Sequence, residues 1–271
     1  MDAQVVKELR DKTNAGMMDC KKALVEANGD VTKAIEILRK KGISTAAKKS
    51  SRETKEGLVE SFISADGKVG VIIDLSCETD FVAKNSAFGD LIKKIGQEFL
   101  QASPAMVKED KIVDEKFQTK INDLLTAAIA KIGENICLKH FYKLAISNSF
   151  VSSYVHMGGK VGAIVAFEGD PKGKEDVLKD VCMQVVAARA DYIIRPEVPT
   201  ELLEKEKEIL KAQIKGKPDN IVEKIVSGRL EKFYEEKCLL DQIFIKDSSK
   251  KIKDLLGGLI VKKFVRFNVG E

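Results

Sequence analysis

The chain has 271 residues, 44% hydrophobic and 32% charged, with 46 Lys and Arg against 42 Asp and Glu for a net charge of +4. That length invites two or three domains, and the composition is that of a globular chain able to bury a real core. No apolar run approaches the ~18 residues of a membrane helix and the N-terminal MDAQVVKELRDK lacks a signal-peptide segment, so a cytoplasmic protein without a membrane partner is expected.

Residues 1–43 are expected as a compact three-helix unit. Val5, Val6 and Leu9 share a face of the first helix; Met17, Cys20, Ala23, Leu24 and Ala27 recur at helical spacing in the second, and Val31, Ala34, Ile35 and Leu38 in the third. Asn28-Gly29-Asp30 supplies a turn with Asp30 as N-cap, and Gly42 reads as the stop. Residues 44–56, polar and charged, read as a linker or a short exposed helix.

Two segments then align without a gap at an offset of 92 residues, VESFISADGKVGVII from Val59 and VSSYVHMGGKVGAIV from Val151. They match at Val59/Val151, Ser61/Ser153, Gly67/Gly159, Lys68/Lys160, Val69/Val161, Gly70/Gly162 and Ile72/Ile164. Both read as β-hairpins, with Asp66-Gly67 and Met157-Gly158-Gly159 as turns. Val69, Val71, Ile73 and Leu75 alternate onto one face, as do Val161, Ala163, Val165 and Phe167. A helix follows each hairpin: Phe88, Leu91, Ile92, Ile95 and Phe99 mark the first, and Val177, Leu178, Val181, Val185 and Ala188 the second. The duplication predicts an α+β fold with two related subdomains, 57–147 and 148–271. Between the hairpins, 113–131 reads as an amphipathic helix and 135–147 as a strand.

Residues 200–239 turn helical and highly charged. Gly216-Lys217-Pro218 breaks the pattern into an antiparallel helix pair with a narrow apolar face. Projection as an arm and flat packing on the core both fit. Ile243–Ile245 is strand-like, Ser248 or Ser249 is expected to cap a short helix through Leu256, and Val261, Val265, Phe267 and Val269 alternate in a last strand.

Little in the chain suggests catalysis. Cys20, Cys77, Cys137, Cys182 and Cys238 stand far apart with no CxxC pair, and His140 and His156 are the only histidines. Neither a GxxxxGK[ST] loop nor a GxGxxG after a strand occurs, so no nucleotide site, cofactor or metal of the chain's own is expected. Charges of both signs alternate along most segments, as on solvated faces, and no specific nucleic acid is expected.

CETDFVAKN, residues 77–85, joins the first hairpin to its helix. Thr79-Asp80-Phe81 there corresponds to Pro171-Lys172-Gly173 in the second copy. A helix cap followed by a core Phe fits this stretch, and so does an exposed aromatic anchor for a partner, because the triplet belongs to only one of two related subdomains.

The chain resembles the bacterial elongation factor Ts (EF-Ts) family over essentially its whole length. The resemblance rests on VKELRDKTNAGMMDCKKALVEANGD (6–30), GLVESFI (57–63), CETDFVAKN (77–85), KIGEN (131–135), SSYVHMGGKVG (152–162), GKPDNIVEKIVSGRLEKF (216–233), LLDQIFIKD (239–247) and FVRFNVGE (264–271). It implies a ubiquitin-associated-like N-terminal domain, a two-part core, and a helical hairpin used in some members for self-association. The implied function is non-enzymatic guanine-nucleotide exchange on the translational GTPase elongation factor Tu (EF-Tu), acting on the GDP or GTP and the Mg²⁺ bound to that partner. Thr79, Asp80, Phe81 and Val82 carry over as the segment that dislocates Mg²⁺. Met17, Met18 and Asp19 carry over as partner contacts, although the spacing of Met17 also fits a core. His156 and Met157 lie in the family's YxHMGG segment, where an ordinary hairpin His fits too. Some members continue past the final strand with a helical module that touches EF-Tu; this sequence ends at Val269-Gly270-Glu271, so that contact is not expected.

Overall fold

The computed structural model describes residues 3–13, 15–214 and 218–271. The first three helices are α1 (Ala3–Thr13), α2 (Met17–Glu26) and α3 (Val31–Lys49). Val6, Leu9, Cys20, Ala23, Leu24, Ala27 and Ala34 form their core. The Asp30 carboxylate accepts the Lys33 N–H at 3.0 Å, capping α3 as expected. Met17 and Ile35, assigned by spacing to the apolar faces, are exposed instead.

Gly42 does not end the third helix. Its backbone stays helical, and α3 runs two turns further, taking in the first six residues of the expected linker. A Cβ at Gly42 would lie 3.4 Å from the Thr126 methyl and 3.8 Å from Ala130 Cβ. The glycine therefore marks a close crossing with a later helix rather than a stop. One turn before it, Arg39 donates to both Asp123 oxygens at 3.1 and 2.9 Å. The helical unit is thus seated on the core by its third helix.

Two hairpins follow. The first is β1 (Glu56–Ile63) and β2 (Gly70–Cys77), then α4 (Asp80–Ala83) and α5 (Ser86–Gln101). A small ladder of β3 (Val107–Lys108) and β4 (Lys111–Ile112) leads into α6 (Glu115–Ile132) and β5 (Ile136–Leu144). The second hairpin, β6 (Ser149–Val155) and β7 (Val161–Glu168), precedes α7 (Glu175–Ala188). An antiparallel pair, α8 (Thr200–Gln213) and α9 (Asp219–Lys237), is followed by β8 (Ile243–Phe244), β9 (Asp247–Lys251), α10 (Ile252–Leu255) and β10 (Ile260–Asn268). Of the expected breaker between α8 and α9, Gly216 and Lys217 lie outside the described residues.

The fold is α+β. Its main sheets are antiparallel, in the orders β1-β2-β5 and β10-β7-β6. Each buries one face under its own helices. Val71, Ile73 and Leu75 meet Phe88, Ile92, Ile95 and Phe99, while Ala163, Val165 and Phe167 meet Val181, Cys182 and Val185. The other faces meet each other through Val59, Ile72, Tyr142, Val151 and Ile164.

This inter-sheet contact explains the repeated residues. Val59 N–H donates to the Gly159 carbonyl at 2.6 Å, and Val151 N–H donates to that of Gly67 at 2.7 Å. The hydroxyls of Ser61 and Ser153 join at 3.0 Å. A Cβ at Gly70 would lie 2.5 Å from the Val151 side chain, and one at Gly162 would lie 3.0 Å from that of Val59. Most matched positions therefore maintain a pseudo-twofold interface, an isologous packing made within one chain.

Two expectations near the end are corrected. Ser248 and Ser249 lie in β9; the Asp247 carboxylate binds the Ser249 hydroxyl at 2.6 Å. Asp254 accepts the Lys251 N–H at 2.9 Å, so the short helix starts at Ile252. In β10 the pairing shifts between Val261 and Lys263. This bulge turns Val261 toward the α7 side, whereas Val265 and Phe267 pack between the sheets.

Lys143 is a buried cation at the end of α5. Its ammonium donates to the carbonyls of Phe99 at 2.8 Å, Leu100 at 3.1 Å and Ala102. These carbonyls belong to the helix's last turn, which has no intrahelical donor left. Lys143→Met keeps most of the packing and orphans them, so urea unfolding should show a loss of about 2 kcal/mol. An unchanged midpoint would assign the lysine no capping role.

Candidate functional site

The end of β2 is fully buried, and the chain leaves it through Glu78 and Thr79. Thr79 is extended, with its hydroxyl accepting the Val82 N–H at 3.3 Å as the N-cap of α4. Within that single turn the side chains separate by task. Val82 packs on the first subdomain's core and Ala83 is buried in it. Asp80 pairs with Lys84 one turn on, at 2.8 Å; this hydrogen bond holds the Asp80 carboxyl below the usual carboxylate range. Phe81 is 83% exposed. The helix cap is present, and the core position for Phe81 that would complete it is not.

Neighbouring loops hold this turn. The Glu134 carboxylate accepts the Thr79 N–H at 3.0 Å and its O–H at 2.7 Å. Glu78 accepts the Asn135 N–H at 2.6 Å and faces Arg52 at 3.4 Å. Glu78 and Asp80 do not act as a carboxylate pair, since each is engaged with a different cation. Sequence reading misses Glu134 and Asn135, whose only signal is their place in KIGEN.

The second hairpin's tip lies at the same end of the core. Gly159, with φ +67°, places its Cα where a Cβ would meet Leu58 at 2.8 Å. Lys160 reaches Glu56 at 2.5 Å and the Gly57 carbonyl at 3.2 Å, and its charge also acts on Asp80. Met157 is 86% exposed, and His156 is exposed with Nδ1 3.2 Å from the Tyr154 hydroxyl. Thr79–Val82 and His156–Met157 thus flank the start of β1. Met17, Met18 and Asp19 begin α2, on the helical unit. Met17 and Met18 are 44% and 61% exposed, whereas the Asp19 carboxylate pairs with Lys41 at 2.5 Å.

This surface offers an apolar tip on an anchored turn, ringed by paired charges. Burial pushes the thiols of Cys77 and Cys182 up to about 12 and that of Cys238 up to about 11, leaving them weak nucleophiles. Among the described residues no cluster of three or more His, Cys, Asp or Glu is placed to hold a metal ion. Nor is any helix among them long and apolar enough to cross a membrane.

Comparison with known proteins assigns this architecture. The family model described as Elongation factor TS matches residues 78–271, from Glu78 of the mount to the end. The chain belongs to the elongation factor Ts family. Elongation factor Ts of Clostridium botulinum (strain Eklund 17B / Type B) is 45% identical over 100% of this chain and 93% of its own length. That of Clostridium kluyveri is 43% identical over 99% and 92%, and that of Halothermothrix orenii 44% identical over 98% and 91%. Membership in the elongation factor Ts family gives the chain a role as a translation elongation factor.

Proposed function

We propose that this protein is a non-enzymatic guanine-nucleotide exchange factor for elongation factor Tu, and that Phe81 on its α4 mount loosens the Mg²⁺ and phosphate site of that GTPase. The observation that carries the reading is an aromatic side chain left 83% exposed on a turn whose other apolar residues are anchored in the core. A large ring in water represents unused apolar burial, which a partner's pocket recovers. Phe81 enters between elements of the GTPase while Asp80 engages polar groups there. Mg²⁺ neutralises the nucleotide phosphates and demands near-octahedral geometry from few protein groups. A small displacement of those groups therefore weakens the metal and then GDP, with no contact from this protein to the nucleotide.

His156, Met157, Met17, Met18 and Asp19 supply further contacts to the GTPase. The α8–α9 pair serves self-association, and the protein works in the cytoplasm with no cofactor of its own.

Exchange of this kind is linkage: what the factor does to GDP affinity, GDP does to the factor's affinity. Preference for nucleotide-free over GDP-bound elongation factor Tu by ~10⁴-fold corresponds to ~5.5 kcal/mol of coupling. Titration calorimetry should find the complex tight without nucleotide and weakened by GDP, by the factor through which this protein weakens GDP. Affinity independent of nucleotide would reject exchange and leave a binding adaptor.

A further inference from the structure

We infer that Glu134 is a positioning residue for Phe81, acting through Thr79 and supported by a reciprocal bond from Asn135 to Glu78; this rests on the exchange reading above. Phe81 itself is exposed, so the direction of its ring is set by the backbone of 79–82. That backbone is a single helical turn, with Ala83 N–H to the Thr79 carbonyl at 3.2 Å and Lys84 N–H to that of Asp80 at 3.0 Å. One turn does not hold itself in water, because helix nucleation is unfavourable. The core contacts of Val82 and Ala83 anchor the far side of the turn, and the restraint on its N-terminal end comes from the 133–135 loop.

Gly133 ends α6 in the left-handed region at φ +88°, turning the chain so that Glu134 and Asn135 run beside Glu78 and Thr79. The two loops then exchange bonds in both directions. Thr79 gives its N–H and O–H to the Glu134 carboxylate, and Asn135 returns its N–H to Glu78. The Thr79 hydroxyl is the link: it donates to Glu134 and accepts from Val82, one residue past Phe81. The end of α3 joins the same junction. Asn135 Nδ2 donates to the Arg52 carbonyl at 2.8 Å, and Lys49 donates to that of Gly133. The corresponding place in the second copy is held differently: Lys172 N–H donates to Asp170 at 3.0 Å, Lys174 N–H to the Pro171 carbonyl at 3.0 Å, and the Lys174 ammonium to the Gly257 carbonyl at 2.8 Å. The lock in which a carboxylate from another loop takes both the backbone N–H and the hydroxyl of the capping residue belongs to the subdomain that presents the aromatic.

The test uses full-length Glu134→Ala and Glu134→Gln, each alone and combined with Phe81→Ala. GDP release from elongation factor Tu is followed against factor concentration. Loss of positioning should lower the maximal release rate about tenfold in Glu134→Ala and less in Glu134→Gln, with the half-saturating concentration nearly unchanged. In the Phe81→Ala background the Glu134 changes should add nothing. A wild-type maximal rate in Glu134→Ala, or effects that multiply with those of Phe81→Ala, would overturn the inference.

A second readout does not depend on exchange activity. Amide hydrogen exchange at Val82–Lys84 should accelerate in Glu134→Ala while the amides of α5 stay protected. Unchanged protection at Val82–Lys84 would remove the lock whatever the kinetics. If the wild-type protein itself leaves GDP release unchanged, the functional reading fails, and the hydrogen-exchange arm still decides whether Glu134 orders the turn.

Discussion

Phe81→Ala is expected to reduce the acceleration of GDP release by more than an order of magnitude while leaving the fold intact. Truncation of a buried aromatic anchor at an interface costs about 2 kcal/mol or more, about thirtyfold at room temperature. The same truncation on the free protein removes a side chain that is 83% exposed, and substitutions at such sites change stability by about 0.5 kcal/mol or less. The contrast with its neighbours is part of the expectation. Val82→Ala removes packing from the first subdomain's core and should lower the unfolding midpoint. Asp80→Ala breaks an exposed pair with Lys84; stability should hold, and any exchange defect reports the partner's polar groups. A fold disturbed by Phe81→Ala would contradict the exposed placement of the ring.

Asp74 should make stability fall as pH rises through the mildly acidic range. It sits on the central strand β2, 1% exposed, with neither carboxylate oxygen hydrogen-bonded. Burial pushes its carboxyl up to about 6 from 3.8, against the opposing charges of His140 and Lys139 on β5. A carboxyl raised in the folded state contributes stability that is fully present below its unfolded pKa, and that stability is lost as pH rises through the folded value. For Asp74 the window runs from about 4 to about 7, and the loss is about 3 kcal/mol. Asp74→Asn cannot ionise. The difference in unfolding free energy between wild type and Asp74→Asn should therefore move by about that amount between pH 4 and pH 8, in favour of the variant at the higher pH. A difference independent of pH would mean that Asp74 titrates like an exposed carboxylate.

Much of the architecture was legible because it rests on local signals. The periodicities of Phe88–Phe99 and Val177–Val185 found their helices, and the glycine-rich turns found both hairpins. The 92-residue repeat foretold two related sheets, although its meaning as an inter-sheet contact needed coordinates: Ser61 and Ser153, or Gly70 and Val151, become neighbours only after folding. Where reading failed, a tertiary contact outweighed a local rule. Gly42 looked like a helix stop and is a crossing point with Thr126 and Ala130. Val261 looked in phase with Val265, and a bulge takes it out.

The site was legible in outline only. That Thr79-Asp80-Phe81 belongs to one copy of the repeat was visible in the residues, and the family resemblance implied the use proposed for it. Whether Phe81 faced the core or solvent depended on the register of a four-residue helix, which periodicity does not resolve over so short a span. Glu134 stood 55 residues from Thr79, with nothing local to link the two.

The central claim is that this protein speeds GDP release from elongation factor Tu, and stopped-flow release of a fluorescent GDP analogue measures it directly. The rate constant should rise hyperbolically with the concentration of this protein at fixed Mg²⁺ and plateau orders of magnitude above the spontaneous rate. A release rate that stays at the spontaneous value while a complex forms would contradict the account.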